Sequence, residues 1–146
     1  MKRFFTLFLL VSVLAMVAPA CSKYANGPKF TLLTKKSRLV NDWTLTSYMI
    51  NGNEFIASQP QIKLVLDKDE TFSWSSTQSV LGQLQSQFDN GTWSLSDDKV
   101  SLLMLPKGEE IAISYTITDL RANKMVLSYY NKVTNITYVS TYETDK

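Results

Sequence analysis

The fold class this sequence predicts is a single small all-β domain, an antiparallel up-and-down barrel of about eight strands. Three observations predict it. After Val40, apolar and polar residues alternate with a period of two through short segments; turn-forming residues part those segments at short intervals; and no stretch sustains the 3.6-residue period of an ordinary helix. Short antiparallel strands on tight turns are most simply satisfied by a closed meander, because closure leaves no sheet edge unpaired. A β-sandwich is the alternative.

Taken in order, the chain opens on Lys2 and Arg3, runs apolar from Phe4 to Val17, and reaches Ala18, Pro19 and Ala20 just before Cys21. That is the layout of a secretory signal peptide over residues 1–20. The apolar run falls short of the roughly 18–20 residues needed to cross ~30 Å of hydrocarbon. Cys21 is the only cysteine among 146 residues, so no intramolecular disulfide can form. At the first mature position it resembles the cysteine of a bacterial lipobox, and a thioether to diacylglycerol would dispose of a thiol that is a liability in an oxidising compartment. The expectation is a protein held in the bacterial cell envelope by its N-terminal lipid, at the outer membrane.

Removal of the signal leaves about 126 residues, one domain plus a tether. Lys2 and Arg3 leave with it, so the formal net charge of +2 falls to near zero against 13 acidic residues. A neutral mature chain gives no support for nucleic-acid binding. Residues 21–37 read as the tether: Lys23, Lys29, Lys35 and Lys36 with no acid, and Gly27-Pro28. The domain is expected over 38–146.

The first strand is expected at Trp43 to Ile50, turning through Asn51-Gly52, whose tolerance of positive φ suits a tight hairpin into Glu54-Phe55-Ile56. Ile62 to Leu66 alternates Ile62, Leu64 and Leu66 against Lys63, Val65 and Asp67. Asp67-Lys68-Asp69-Glu70 makes a charged turn into Thr71 to Ser75, where Phe72 and Trp74 share a face. The same pattern marks Thr92 to Leu95, Val100 to Leu105, Ile111 to Asp119, Met125 to Tyr130 and Ile136 to Tyr142. Over 78–88, Val80, Leu84 and Phe88 fit one helical face while Gln83, Gln85 and Gln87 alternate, and the segment is expected to be a loop with a short helix.

The sequence holds no histidine, and its one cysteine is spent at the N-terminus, which removes Ser-His and Cys-His nucleophilic systems and ordinary zinc sites. Asp67, Asp69 and Glu70 lack the glycine and distal glutamate of a calcium loop. Asp97-Asp98 and Glu109-Glu110 are neighbours flanking turns, and adjacent strand residues face opposite ways, so neither pair aims two carboxylates at one substrate. No catalytic residue, metal or cofactor is expected.

The aromatics remain: 3 Trp, 7 Tyr and 7 Phe. Tyr115 shares the parity of Ile111 and Ile113, Tyr129 that of Met125 and Leu127, and Tyr138 that of Ile136, so all three are expected to face inward. Packing the core is one role open to them. The sharper one is that Trp74, Tyr115, Met125, Tyr129 and Tyr138 line a cavity for a small apolar or amphipathic ligand.

With Asn41-Asp42-Trp43 at the first strand, Gly91-Thr92-Trp93 in mid-chain and turns such as Asp67-Lys68-Asp69-Glu70, residues 38–144 resemble the lipocalin-like domain lipoproteins of Gram-negative bacteria. The resemblance implies a small calyx-type barrel with Trp43 as the plug of its closed end. Asn41 stands where lipocalins proper carry the glycine of Gly-x-Trp. Two functions are therefore expected in order: a membrane-anchored, non-enzymatic binding module, and a structural lipoprotein whose packed barrel contacts an envelope protein.

Overall fold

The computed structural model describes residues 33–144. The signal peptide 1–20, Cys21 and the tether as far as residue 32 lie outside them. A short helix α1 (Lys35–Leu39) leads into nine strands: β1 (Asn41–Ile50), β2 (Asn53–Glu54), β3 (Gln61–Leu66), β4 (Thr71–Val80), β5 (Gln83–Leu95), β6 (Ser101–Pro106), β7 (Ile113–Leu120), β8 (Lys124–Asn131) and β9 (Ile136–Glu143). Except for the short β2, which pairs only with the end of β1, they form one antiparallel sheet in the order β1-β3-β4-β5-β6-β7-β8-β9, and β9 pairs back onto β1. The fold is the closed eight-stranded up-and-down barrel the alternation predicts, not a sandwich.

Turn chemistry sets the register. Asn51 and Gly52 both take positive φ, 48° and 84°, and fold Glu54 opposite Met49. In the charged turn, Asp69 Oδ1 accepts from the Thr71 N–H and hydroxyl while Glu70 takes φ 67°. Asp98 and Asn131 serve the β5–β6 and β8–β9 turns in the same way, accepting from backbone N–H groups two or three residues on.

One end of the barrel is solid. Leu39, Trp43, Leu64, Leu66, Leu102, Ile117, Leu120 and Met125 are fully buried there, with Phe72, Trp93 and Leu127 nearly so. Helix α1, capped by Thr34 Oγ1 accepting from the Ser37 N–H, closes that end. Trp43 Nε1 donates to the Leu39 carbonyl at 2.8 Å, and Arg38 Nη1 donates to the Leu120 carbonyl at 2.6 Å. Trp43 is 1% exposed and occupies the plug position that the resemblance assigned to it. The helix begins three residues inside the segment read as tether.

The segment 78–88 corrects the sequence reading: it is neither loop nor helix. β4 and β5 run on as a long hairpin through a turn at Leu81-Gly82, with Val80 opposite Gln83 and Gln78 opposite Gln85. Val80, Leu84 and Phe88 lie four apart, as on a helix face, but the register puts Val80 on the inner face with Gln83 while Leu84 and Phe88 face outward opposite Ser79 and Ser75. The glutamine alternation was the informative pattern. β3 accompanies β4 only to Thr77 and β6 accompanies β5 only from Gly91, so the tip of this hairpin stands off the barrel as a two-stranded ribbon.

Candidate functional site

The end opposite α1 carries no α-helix among the described residues and is termed the open end; it is reached by the β1, β4, β6 and β8 C-termini and the β3, β5, β7 and β9 N-termini. Its inner wall carries tyrosines. Tyr129 on β8 faces Tyr138 on β9 across the ladder, and Tyr138 faces Ile50 on β1. Their rings form a continuous run: Tyr48 to Tyr138 at 6.2 Å between centroids, Tyr138 to Tyr129 at 6.1 Å, and Tyr129 to Tyr115 at 5.8 Å. The offset and tilted geometries are those that aromatic pairs favour. All four are part-buried, with the packed core below them.

Two β-bulges place these rings. In β1, Thr46 is an extra residue against β9, since Leu45 pairs with Tyr142 and Ser47 with Thr141. The slip of one position lets Trp43, Leu45, Tyr48 and Ile50 all face inward, which strict alternation forbids. Thr118 does the same in β7, between Ile117 and Asp119, and both bulged threonine hydroxyls donate to a carbonyl of the partner strand. Tyr48 was missed from sequence for this reason.

Of the five residues expected to line a site, Tyr115, Tyr129 and Tyr138 come together with Tyr48. Trp74 lies across the barrel on β4, part-buried against the core and opposite Leu64 and Asp89. Met125 sits deeper, fully buried between Leu120 and Tyr142, as floor rather than wall. Burial raises the pKa of Tyr48, with Tyr138 adding to it, and that of Tyr115, with Tyr129 and Tyr48 adding. Both phenols stay protonated at any physiological pH, so they offer O–H donors and not charge.

Beside Tyr48 the chain folds over the rim. Glu54 accepts from the Ser47 hydroxyl, the Tyr48 N–H and the Ile56 N–H, and those bonds, Ser47's first, hold its carboxyl below the ordinary range. This anchors a single 3-10 turn, Ile56–Ser58, whose Ile56 packs onto the core. The candidate carboxylates are dispersed: Asp97 and Asp98 turn at the closed end, Glu109 and Glu110 at the open one, and all four are exposed.

Several concavities lie elsewhere, among them these two. One, of about 550 Å³, runs along the outside of β4, β5 and β6 past Gly91; the other, of about 770 Å³, lies at the closed end between α1 and Trp93, with Lys36, Glu70, Asp97 and Lys99 on its walls. Neither is lined by the tyrosine run. The second carries charges of both signs, and Lys36 is already ion-paired to Glu70.

No protein-family model and no curated protein sequence matches this chain. Among solved structures, it is similar to bovine odorant-binding protein in complex with a selenium-containing odorant, at 13% identity and a TM-score of 0.49 over 80% of this chain and 76% of that one. The same bovine protein in complex with undecanal gives 12% identity and a TM-score of 0.48 over 80% and 77%. At such identities and scores the likeness assigns no ligand and no residue role.

Proposed function

We propose that the domain is the binding module of a lipid-anchored, non-enzymatic envelope protein, taking a small apolar or amphipathic molecule at the open end of its barrel. The observation that carries this reading is the run Tyr48-Tyr138-Tyr129-Tyr115. Four inward rings, contributed by four consecutive strands around the wall, stand part-buried over an apolar floor. Rings of this kind supply apolar area for a hydrocarbon or aromatic body and hydroxyls for a polar head. The anchor rests on the sequence alone, on the signal-like leader and Cys21.

Trp74 faces the tyrosine strands across the barrel, so intrinsic emission is the direct readout. Titration with a panel of fatty acids and aromatic molecules is expected to change that emission saturably for at least one class. A Kd near 1 μM corresponds to about −8 kcal/mol, which burial of roughly 300 Å² of apolar surface at ~25 cal/mol per Å² approaches when the wall is preformed. Tyr129→Ala, at the centre of the run, is expected to weaken that binding about tenfold or more with the fold intact. No emission change with any panel member, and no small molecule in native mass spectra of the unpurged protein, would overturn the binding reading. Palmitate labelling that persists in Cys21→Ser would separately overturn the anchor.

A further inference from the structure

The β4–β5 ribbon holds an unpaired edge of unusual composition. Residues 83–90 of β5 pair on one side with β4 and, among the described residues, with no strand on the other. The two-residue turn makes Val80 and Gln83 a hydrogen-bonded pair, so the odd residues of β5 point their amides at β4. The Trp93 N–H bonding the Glu70 carbonyl agrees with that, as does Asn90, whose carbonyl points the other way to accept from Lys107. The N–H and C=O groups of Leu84, Ser86 and Phe88 therefore face the open edge.

Edges of soluble proteins are commonly guarded by charge or proline. This one is not: no charged residue and no proline lies between Glu70 and Asp89. Leu84 and Phe88, on the outer face, are 78% and 79% exposed.

We propose that this edge pairs antiparallel with the same edge of a second copy, centred on Ser86, joining two ribbons into one four-stranded sheet. That register is the one that satisfies all three edge residues. Ser86 meets Ser86 of the other copy, and Leu84 meets Phe88 twice, giving six backbone hydrogen bonds in place of three open donors and three open acceptors on each chain. The side chains agree with it. Leu84 and Phe88 share the outer face and become direct cross-strand partners, an aliphatic–aromatic pair on each side of the two-fold axis. On the inner face Gln85 meets Gln87, and Asp89 meets Gln83, so no like charges are opposed. The contact is isologous and uses up the edge it is made from, so it closes at two copies. It involves none of the open-end tyrosines and stands independently of the ligand.

An edge of eight residues buries less than the ~1,000 Å² of a permanent interface, so the dimer is a weak one. The test is sedimentation equilibrium of the full chain from ~10 μM to ~1 mM, under reductant so that Cys21 forms no cross-link. The expected result is a reversible shift from monomer to twice that mass. Leu84→Lys and Phe88→Glu are each expected to weaken association about tenfold. Mixing the two variants is expected to restore it, because only the Ser86-centred register sets position 84 of one copy against position 88 of the other. Both substitutions lie on an exposed face, and unchanged emission from the buried Trp43 and Trp93 will show the barrel intact. A monomer at every concentration, a dimer indifferent to both substitutions, or a mixture no more associated than its parts would each overturn the proposal.

Discussion

Replacing Trp43 by alanine tests the architecture of the closed end most directly. The indole is 1% exposed, and its Nε1 is bonded at 2.8 Å to the carbonyl of Leu39, the last residue of α1. An aromatic side chain of this size buries about 200–250 Å², worth up to roughly 5–6 kcal/mol by area, an upper bound because unfolded chains are not fully extended. Truncations of buried Trp and Phe cost ~3–5 kcal/mol, and losing the bond to Leu39 adds ~1 kcal/mol. The expected loss is about 4 kcal/mol, a large part of the ~5–15 kcal/mol that stabilises a domain. With m near 1.5 kcal/mol/M, the urea midpoint falls by about 2.7 M. Trp43→Phe keeps most of the area but not the donor, and is expected to lose about 1–2 kcal/mol. A loss below 1 kcal/mol for Trp43→Ala, at unchanged m, would refute the plug and with it the parity assigned to β1.

Gly91→Ala is expected to destabilise by at least about 2 kcal/mol in thermal unfolding, since a Cβ there would meet the Leu105 carbonyl oxygen at 2.0 Å and the Phe72 ring at 2.8 Å; a neutral result would mean β5 and β6 do not approach so closely. Leu81 is fully exposed at φ 52°, a conformation that disfavours side chains other than Asn or Gly, so Leu81→Asn is expected to add about 0.5–1 kcal/mol by reproducing the Asn51-Gly52 turn. Lower stability would place the turn elsewhere. Burial, with Tyr115 adding to it, raises the Tyr142 pKa above 10.0. The folded state thus prefers the protonated phenol, and its contribution is whole below pH 10 and lost as pH climbs from there through the folded value. Tyr142→Phe is expected to flatten the fall in melting temperature between pH 9 and 12, and an equally steep fall would mean that the ring is solvated.

Much of the barrel is written locally. Ile62, Leu64 and Leu66 alternate as a strand must, and Asn51-Gly52 makes the turn its backbone freedom suits. What stayed hidden is what depends on partners. Thr46 and Thr118 look like ordinary strand residues, and only pairing across β9 and β8 makes each of them extra. Strict alternation from Trp43 would turn Tyr48 outward, and the bulge at Thr46 is what brings it in to begin the tyrosine run. Leu81 offers no warning of a turn, because leucine seldom takes positive φ. Met125 shows the complementary limit: its inward parity was legible, but its depth was not, since depth depends on how far along the barrel the closed-end core extends.

Pairing between β1 and β9 differs from every other ladder in the barrel in how late in the chain its second half arrives. The rest join strands close in sequence and can zip hairpin by hairpin as the chain is made. Setting Leu45 against Tyr142 instead closes a loop of about 100 residues, an entropic cost of roughly 4 kcal/mol before any contact rewards it. That line is where folding should finish and unfolding begin. Until it shuts, the chain is a curled open sheet with Leu45 and Tyr142 uncovered and two bare edges. Newly made copies in that state offer one another bare strand edges and apolar surface that the closed barrel covers.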